Sequence, residues 1–173
     1  MALKADRNEL DVDISFFMNE TAEKGQIVSI STVGSGAAMD QAGALVTIAQ
    51  GGASGSETYP VGVLLNDVVD IDLTRQHINW HKDEVQKGGK VSILKKGYIV
   101  TDQVVAVGAI SAGELAYLDD TSASGKFADS ATVADGDRNV VGRFMSDQDE
   151  DGYYKIEVNL PVPMAPTAGG VQV

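Results

Sequence analysis

Apolar residues in this chain gather in runs of four to eight, each cut short by Gly, Ser or Asp, and almost nowhere do they keep a 3.6-residue period. Runs of that length, rich in Val, Ile, Leu and Tyr and bounded by turn residues, read as strands and are too short for helices. The fold class is therefore all-β (mainly), a β-barrel or sandwich core. Candidate strands are Gln26–Thr32, Leu45–Ala49, Val61–Leu65, Val68–Leu73, Val91–Leu94, Gly97–Val100, Glu114–Leu118, Val140–Met145 and Tyr153–Leu160. In the last of these, Tyr154, Ile156, Val158 and Leu160 share one face and Lys155, Glu157 and Asn159 the other, which is the alternation of a half-buried antiparallel strand. One short helix is expected near 74–87, with Thr74 as N-cap and Gly88-Gly89 as its stop.

The order of strand and turn repeats. Gly25 opens Gln26-Ile27-Val28 as Gly113 opens Glu114-Leu115-Ala116, and Val61-Gly62 closes the first unit as Val141-Gly142 closes the second. The Gly-to-Gly separations are 37 and 29 residues, so an insertion separates the two copies. This predicts a duplicated core over 15–160, with pseudo-repeats 15–73 and 97–160 joined by a segment 74–96. Gly25, Gly62, Gly113, Gly142 and Gly152 are then structural turn positions, where a side chain would obstruct the backbone path.

At 173 residues the chain can bury a core without staples. It has no cysteine, which excludes thiol catalysis and Cys-ligated metal. The opening MALKADRNELDVDISFF carries Lys4, Asp6, Arg7, Glu9, Asp11 and Asp13 where a secretion signal needs an apolar run, and no run reaches membrane-span length. A net charge of −12 argues against nucleic acid as partner, because phosphate binding needs a basic footprint. That charge is uneven. Residues 75–100 hold Arg75, Lys82, Lys87, Lys90, Lys95 and Lys96 against Asp83 and Glu84, a net +4 against −16 elsewhere. Such a segment either orients the protein on an acidic neighbour or is simply a solvated face.

No catalytic set emerges. His77 and His81 have the i, i+4 spacing of a zinc pair but lack the intervening general-base Glu and a third ligand. The run Asp147-Gln148-Asp149-Glu150-Asp151-Gly152 opens like a calcium loop, with Asp147, Asp149 and Asp151 as candidate metal ligands. Its twelfth position is Val158, however, and a hairpin turning at Asp151-Gly152 accounts for the same residues. Gly34-Ser35-Gly36 and the Gly51–Ser56 stretch lack the residues of a phosphate loop, and Asp119-Asp120 has no apolar pocket to raise one pKa. No enzyme and no cofactor are expected. The ends read as an N-terminal arm, 1–14, and an extended tail, 161–173, which holds three of the four prolines.

The stretch GYIVTDQVVAVGAISAGELAYLDDTSASGKFADS, followed by VVGRFMSD and DGYYKIEVNLP, resembles the head decoration (cement) proteins of tailed bacteriophages over residues 97–160. The matching positions are Gly97, Gly113, Glu114, Tyr117, Asp119, Gly125, Lys126, Val141, Gly142 and Leu160; the His77–Lys96 segment has no counterpart in that pattern. The resemblance implies a β-barrel or β-tulip-like subunit, homotrimeric near local threefold axes, bound to the major capsid protein on the outside of the expanded head. It implies synthesis in the host cytoplasm, no membrane, and terminal arms that bridge capsomers. Candidate capsid contacts are then Ala2, Leu3, Lys4 and Arg7 in the arm and Lys82, Lys87, Lys90, Lys95 and Lys96 in the basic segment. Alternatives are a head fibre or tail component, or a calcium- or carbohydrate-binding β-module.

Overall fold

The computed structural model describes residues 3–31, 45–50, 59–71, 74, 82–106, 108–119, 124–129 and 139–160. Among these the regular elements are all strands. They are β1 (Asn8–Met18), β2 (Ile27–Ile30), β3 (Leu45–Ile48), β4 (Pro60–Leu64), β5 (Asp67–Val69), β6 (Glu84–Gln86), β7 (Lys90–Thr101), β8 (Val104–Val105), β9 (Leu115–Leu118), β10 (Phe127–Ala128), β11 (Val140–Phe144) and β12 (Tyr154–Asn159).

Strand bonding is ring-like. The main sheet runs β1-β3-β2-β4-β7-β12-β11-β9-β10-β8, and β1 also pairs with β7, which closes β1-β3-β2-β4-β7 into a first barrel. The second barrel is β7-β12-β11-β9-β10-β8, where β8 follows β7 after only Asp102 and Gln103. β7 is about 40 Å long at ordinary strand rise, so its first half serves one barrel and its second half the other.

The two barrels match bond by bond. In the first, Val28 opposes Gly62 and Ser29 opposes Pro60 across a bulge; in the second, Ala116 opposes Gly142 and Tyr117 opposes Val140 across a bulge at the same place. The Gly25 N–H donates to the Leu64 carbonyl at 2.7 Å, and the Gly113 N–H to the Phe144 carbonyl at 2.7 Å. Asp67 Oδ1 accepts from the Lys24 N–H at 2.8 Å, and Asp147 Oδ1 from the Ala112 N–H at 2.8 Å. Gly25 and Gly113 have φ of 94° and 98°, a region that glycine enters without steric cost.

The interiors correspond as well. Val28, Val46, Leu64, Val91 and Ile93 fill the first barrel, and Ala116, Phe127, Phe144, Tyr154 and Ile156 stand at the equivalent positions of the second. Phe144 and Tyr154 meet edge to face at 5.6 Å, so aromatic area replaces aliphatic volume there.

Three expectations are corrected. The helix near 74–87 is not formed over its last turn: Glu84–Gln86 is strand β6, paired parallel to β5, while residues 75–81 lie outside the described ones. Val85 packs against the first-barrel core, and Gly88 and Gly89 form the turn into β7 instead of a helix stop, with the Gly88 N–H on the Met18 carbonyl at 2.7 Å. The N-terminal arm 1–14 is bound into the body from Leu3 onward. Leu3 is buried in the core opposite Thr101, and Asn8–Asp13 belong to β1, whose backbone groups find partners on β7. The candidate strands Val91–Leu94 and Gly97–Val100 are one continuous strand, because Lys95 and Lys96 keep extended geometry between β1 and β12. The tail 161–173 lies outside the described residues.

Candidate functional site

The two barrels differ most on their outer faces. In the first, Ile27, Val63, Leu94 and Val12 form one registered row across β2, β4, β7 and β1. Ile27, Val63 and Leu94 are fully buried, and all four pack in the same cluster as the second-barrel core. The equivalent row of the second barrel is Leu115, Arg143, Glu157 and Tyr98. Here Leu115 is 40% exposed, Arg143 is exposed, and Met145, which matches the buried Leu65, is 42% exposed. The sequence held the signal for this face in the aligned repeats, where GVLL in the first unit becomes GRFM in the second.

A second exposed feature lies on β1. Register shifts against β7 at Glu9/Asp11 and Asp13/Phe16 throw Leu10 and Ile14 out of the ladder, leaving them 70% and 67% exposed. Exposed Lys96 is the β7 partner of Asp11.

The predicted contact residues do not form one patch. Leu3 is in the core, Ala2 lies outside the described residues, and the Lys4 ammonium bonds Asp149 Oδ2 at 2.7 Å and Asp151 Oδ2 at 3.4 Å over the Tyr153 ring. Arg7 pairs with Glu9 at 2.6 Å and reaches Asp83 at 3.9 Å. Lys95 bonds Asp13 Oδ2 at 2.7 Å, Lys87 lies 3.7 Å from Asp70, and Lys90 stands over the Phe17 ring. Lys82 is exposed, and its carbonyl accepts from the buried Lys24 ammonium at 2.8 Å. The basic segment is thus partly neutralised by the acidic body, with Lys82, Lys87, Lys90 and Lys96 facing solvent.

Asp147, Asp149 and Asp151 do not converge. Asp147 caps the Ala112 N–H, whereas Asp149 and Asp151 share the Lys4 ammonium, a cation already in the place a metal would take. The hydrogen bond from Lys4 holds the Asp149 carboxyl below the usual carboxylate range. Asp149 also accepts the Tyr153 and Asp151 N–H groups, and Gly152 has φ 88°, so the segment is a hairpin turn. His77, His81 and the Gly34–Gly36 and Gly51–Ser56 stretches lie outside the described residues. A cleft of about 560 Å³ between β5 and the start of β2 is lined by Glu23, Asp67 and Glu84. Each of these carboxylates already has a partner, Gln103 and Lys24 serving the first two.

Comparison with known proteins identifies the family. Residues 7–159 match the family described as structural cement protein (E217 gp24/Pam3 gp6). The chain belongs to this phage cement family. Its role is that of a virion structural protein associated with the capsid. The match spans both barrels, and its bounds enclose 77–96, the segment that had no counterpart in the sequence pattern. A search of curated proteins returned no match.

Proposed function

We propose that this cement protein binds the outer surface of the assembled phage head as a homotrimer and stabilises the expanded capsid. The observation that carries the reading is the family match across both barrels. Physically, a protein that binds the closed shell and not dispersed subunits adds its binding free energy to the shell by mass action. Three linked copies multiply modest contacts into avidity. The exposed Leu10 and Ile14 on β1, with Lys96 beside them, supply an apolar and cationic contact of the kind such attachment needs. Lys82, Lys87 and Lys90 extend the positive fringe of a protein that is otherwise acidic.

Co-sedimentation with undecorated heads tests this. Wild-type protein binds heads. The double variant Leu10→Asp, Ile14→Asp keeps its fold and loses occupancy, and Glu replacements at Lys82, Lys87, Lys90 and Lys96 weaken binding most at low salt, where screening is least. Unchanged occupancy in both variants would overturn this contact surface; failure of wild type to bind would overturn the function.

A further inference from the structure

The outer row of the second barrel crosses β9, β11, β12 and β7 as Leu115, Arg143, Glu157 and Tyr98, each opposite the next in register. An apolar or aromatic residue stands at either end and one charge of each sign at the centre. Turned end for end, the row is therefore its own complement: Arg143 falls on Glu157 and Leu115 on Tyr98. The row beside it holds Met145 and Lys155, joined by the Met145 N–H to the Lys155 carbonyl at 2.7 Å, and the Lys155 ammonium stands 5.8 Å from the centre of the Tyr98 ring. Leu115, Met145 and Arg143 are exposed, and Glu157, Tyr98 and Lys155 are half-buried. Arg143 and Glu157 are ladder neighbours, yet neither forms an ion pair with another described residue. The matching row of the first barrel carries no charge, so the duplicated geometry alone does not impose this order.

We infer that this face pairs with the same face of a second copy, about a twofold axis parallel to the strands and midway between β11 and β12. Sheets packed face to face keep their strands roughly aligned, ~10 Å apart, and about such an axis every row meets its own reversal. Arg143 of each copy then faces Glu157 of the other, Leu115 faces Tyr98, and Met145 faces the Lys155 stem. Each contact is made twice, as in any isologous pair. An axis across the strands would instead set Arg143 on Arg143 and Glu157 on Glu157, and like charges oppose it. The face is four strands wide, about 15 Å, so it buries far less than the ~800 Å² per partner of a standard interface. The contact is therefore weak between free molecules and closes where copies are held side by side. On a head coated with threefold groups, such a twofold contact would join one trimer to the next. Only that placement rests on the proposed function; the contact itself is tested without heads.

Charge reversal tests the pairing through sedimentation equilibrium of the full chain at concentrations up to ~1 mM, the weak end of specific association. Wild type is expected to show a concentration-dependent doubling of its smallest species. Arg143→Glu and Glu157→Arg each set like charges face to face and weaken that step about tenfold or more. An equimolar mixture of the two single variants restores it as a mixed pair, and the double variant Arg143→Glu, Glu157→Arg restores it as a self-pair, with circular dichroism unchanged throughout. Misfolding cannot imitate this result, because the mixture holds only the two chains that fail alone. Wild type without the doubling, single variants that associate as wild type does, or a mixture that stays apart would overturn the contact. Head binding lowered by the single variants while their self-association is unchanged would assign the face to the shell and overturn it too. Heads left bare by wild type, alongside the expected pairing pattern, would overturn the decoration role alone.

Discussion

Val63 and Arg143 stand at the same point of two matching strand ladders, each one residue past the glycine that pairs with β2 or β9, yet Val63 is fully buried and Arg143 faces solvent. One duplicated geometry therefore carries a permanent internal contact at one site and an open face at the other.

Exchange of the two side chains is unequal. Val63→Arg places an unpaired charge against the second-barrel core and costs roughly 3 kcal/mol or more. Arg143→Val changes stability by no more than about 0.5 kcal/mol. Urea unfolding of both variants checks this, and equal effects would show that the faces are not differently covered.

Gly142 has no room for a side chain, since an added Cβ would run into the Glu157 carbonyl oxygen of β12. At Gly62 the same atom would meet the Leu94 carbonyl oxygen at 2.9 Å. Alanine at either position overpacks the ladder and costs about 1–3 kcal/mol, more at Gly142. Thermal unfolding of Gly142→Ala and Gly62→Ala gives the ranking.

How much of this was legible in the sequence differs by element. Tyr154–Asn159 is plain because one of its faces is solvated, so polar and apolar residues alternate. Gly25, Gly62, Gly113 and Gly142 stand out in the sequence because positive φ at Gly25 and Gly113 and crowding at Gly62 and Gly142 leave little choice of residue. β1 is hidden in the sequence although Leu10, Val12, Ile14 and Phe16 alternate with Asp11, Asp13 and Ser15, because bulges against β7 leave Leu10 and Ile14 exposed and the period marks no single buried face. β8 and β10, at two residues each, are too short to show any period. Charge does not tell a free lysine from Lys95 bonded to Asp13, and a place near the chain's start does not tell a free contact from Leu3, which is buried in the core.

That pair gives a pH signature. Its bond to Lys95, helped by Ser15, holds the Asp13 carboxyl down at about 2, below its ordinary 3.8. A carboxyl lowered on folding contributes stability that is present above the unfolded pKa and lost as pH falls through the folded one, here between about pH 4 and 2. Both side chains are about a quarter exposed, so the contribution at neutral pH is at most about 2 kcal/mol before solvent screening reduces it. Asp13→Asn should flatten that part of the stability curve, and an unchanged acid limb would contradict the assignment.

The N-terminus matters for folding. Leu3 is buried at 2% exposure, and the Lys4 N–H bonds the Val100 carbonyl at 2.8 Å. Leu3→Ala costs about 2–5 kcal/mol, the usual cost of a cavity in a packed core. Deletion of Met1–Asp13 removes that anchor and half of β1, so the truncated chain should unfold at lower denaturant than Leu3→Ala. A truncated protein as stable as the full chain would show that Leu3 is not part of the core in solution.

The central claim is that this cement protein decorates the outside of the assembled head, and a density map of undecorated heads incubated with purified protein tests it most directly. Added density is expected on the outer surface in groups of three around local threefold axes, fitting the double barrel, with more resistant heads at full occupancy. Heads left bare, density only at the tail vertex, or density on the inner surface of the shell would contradict it.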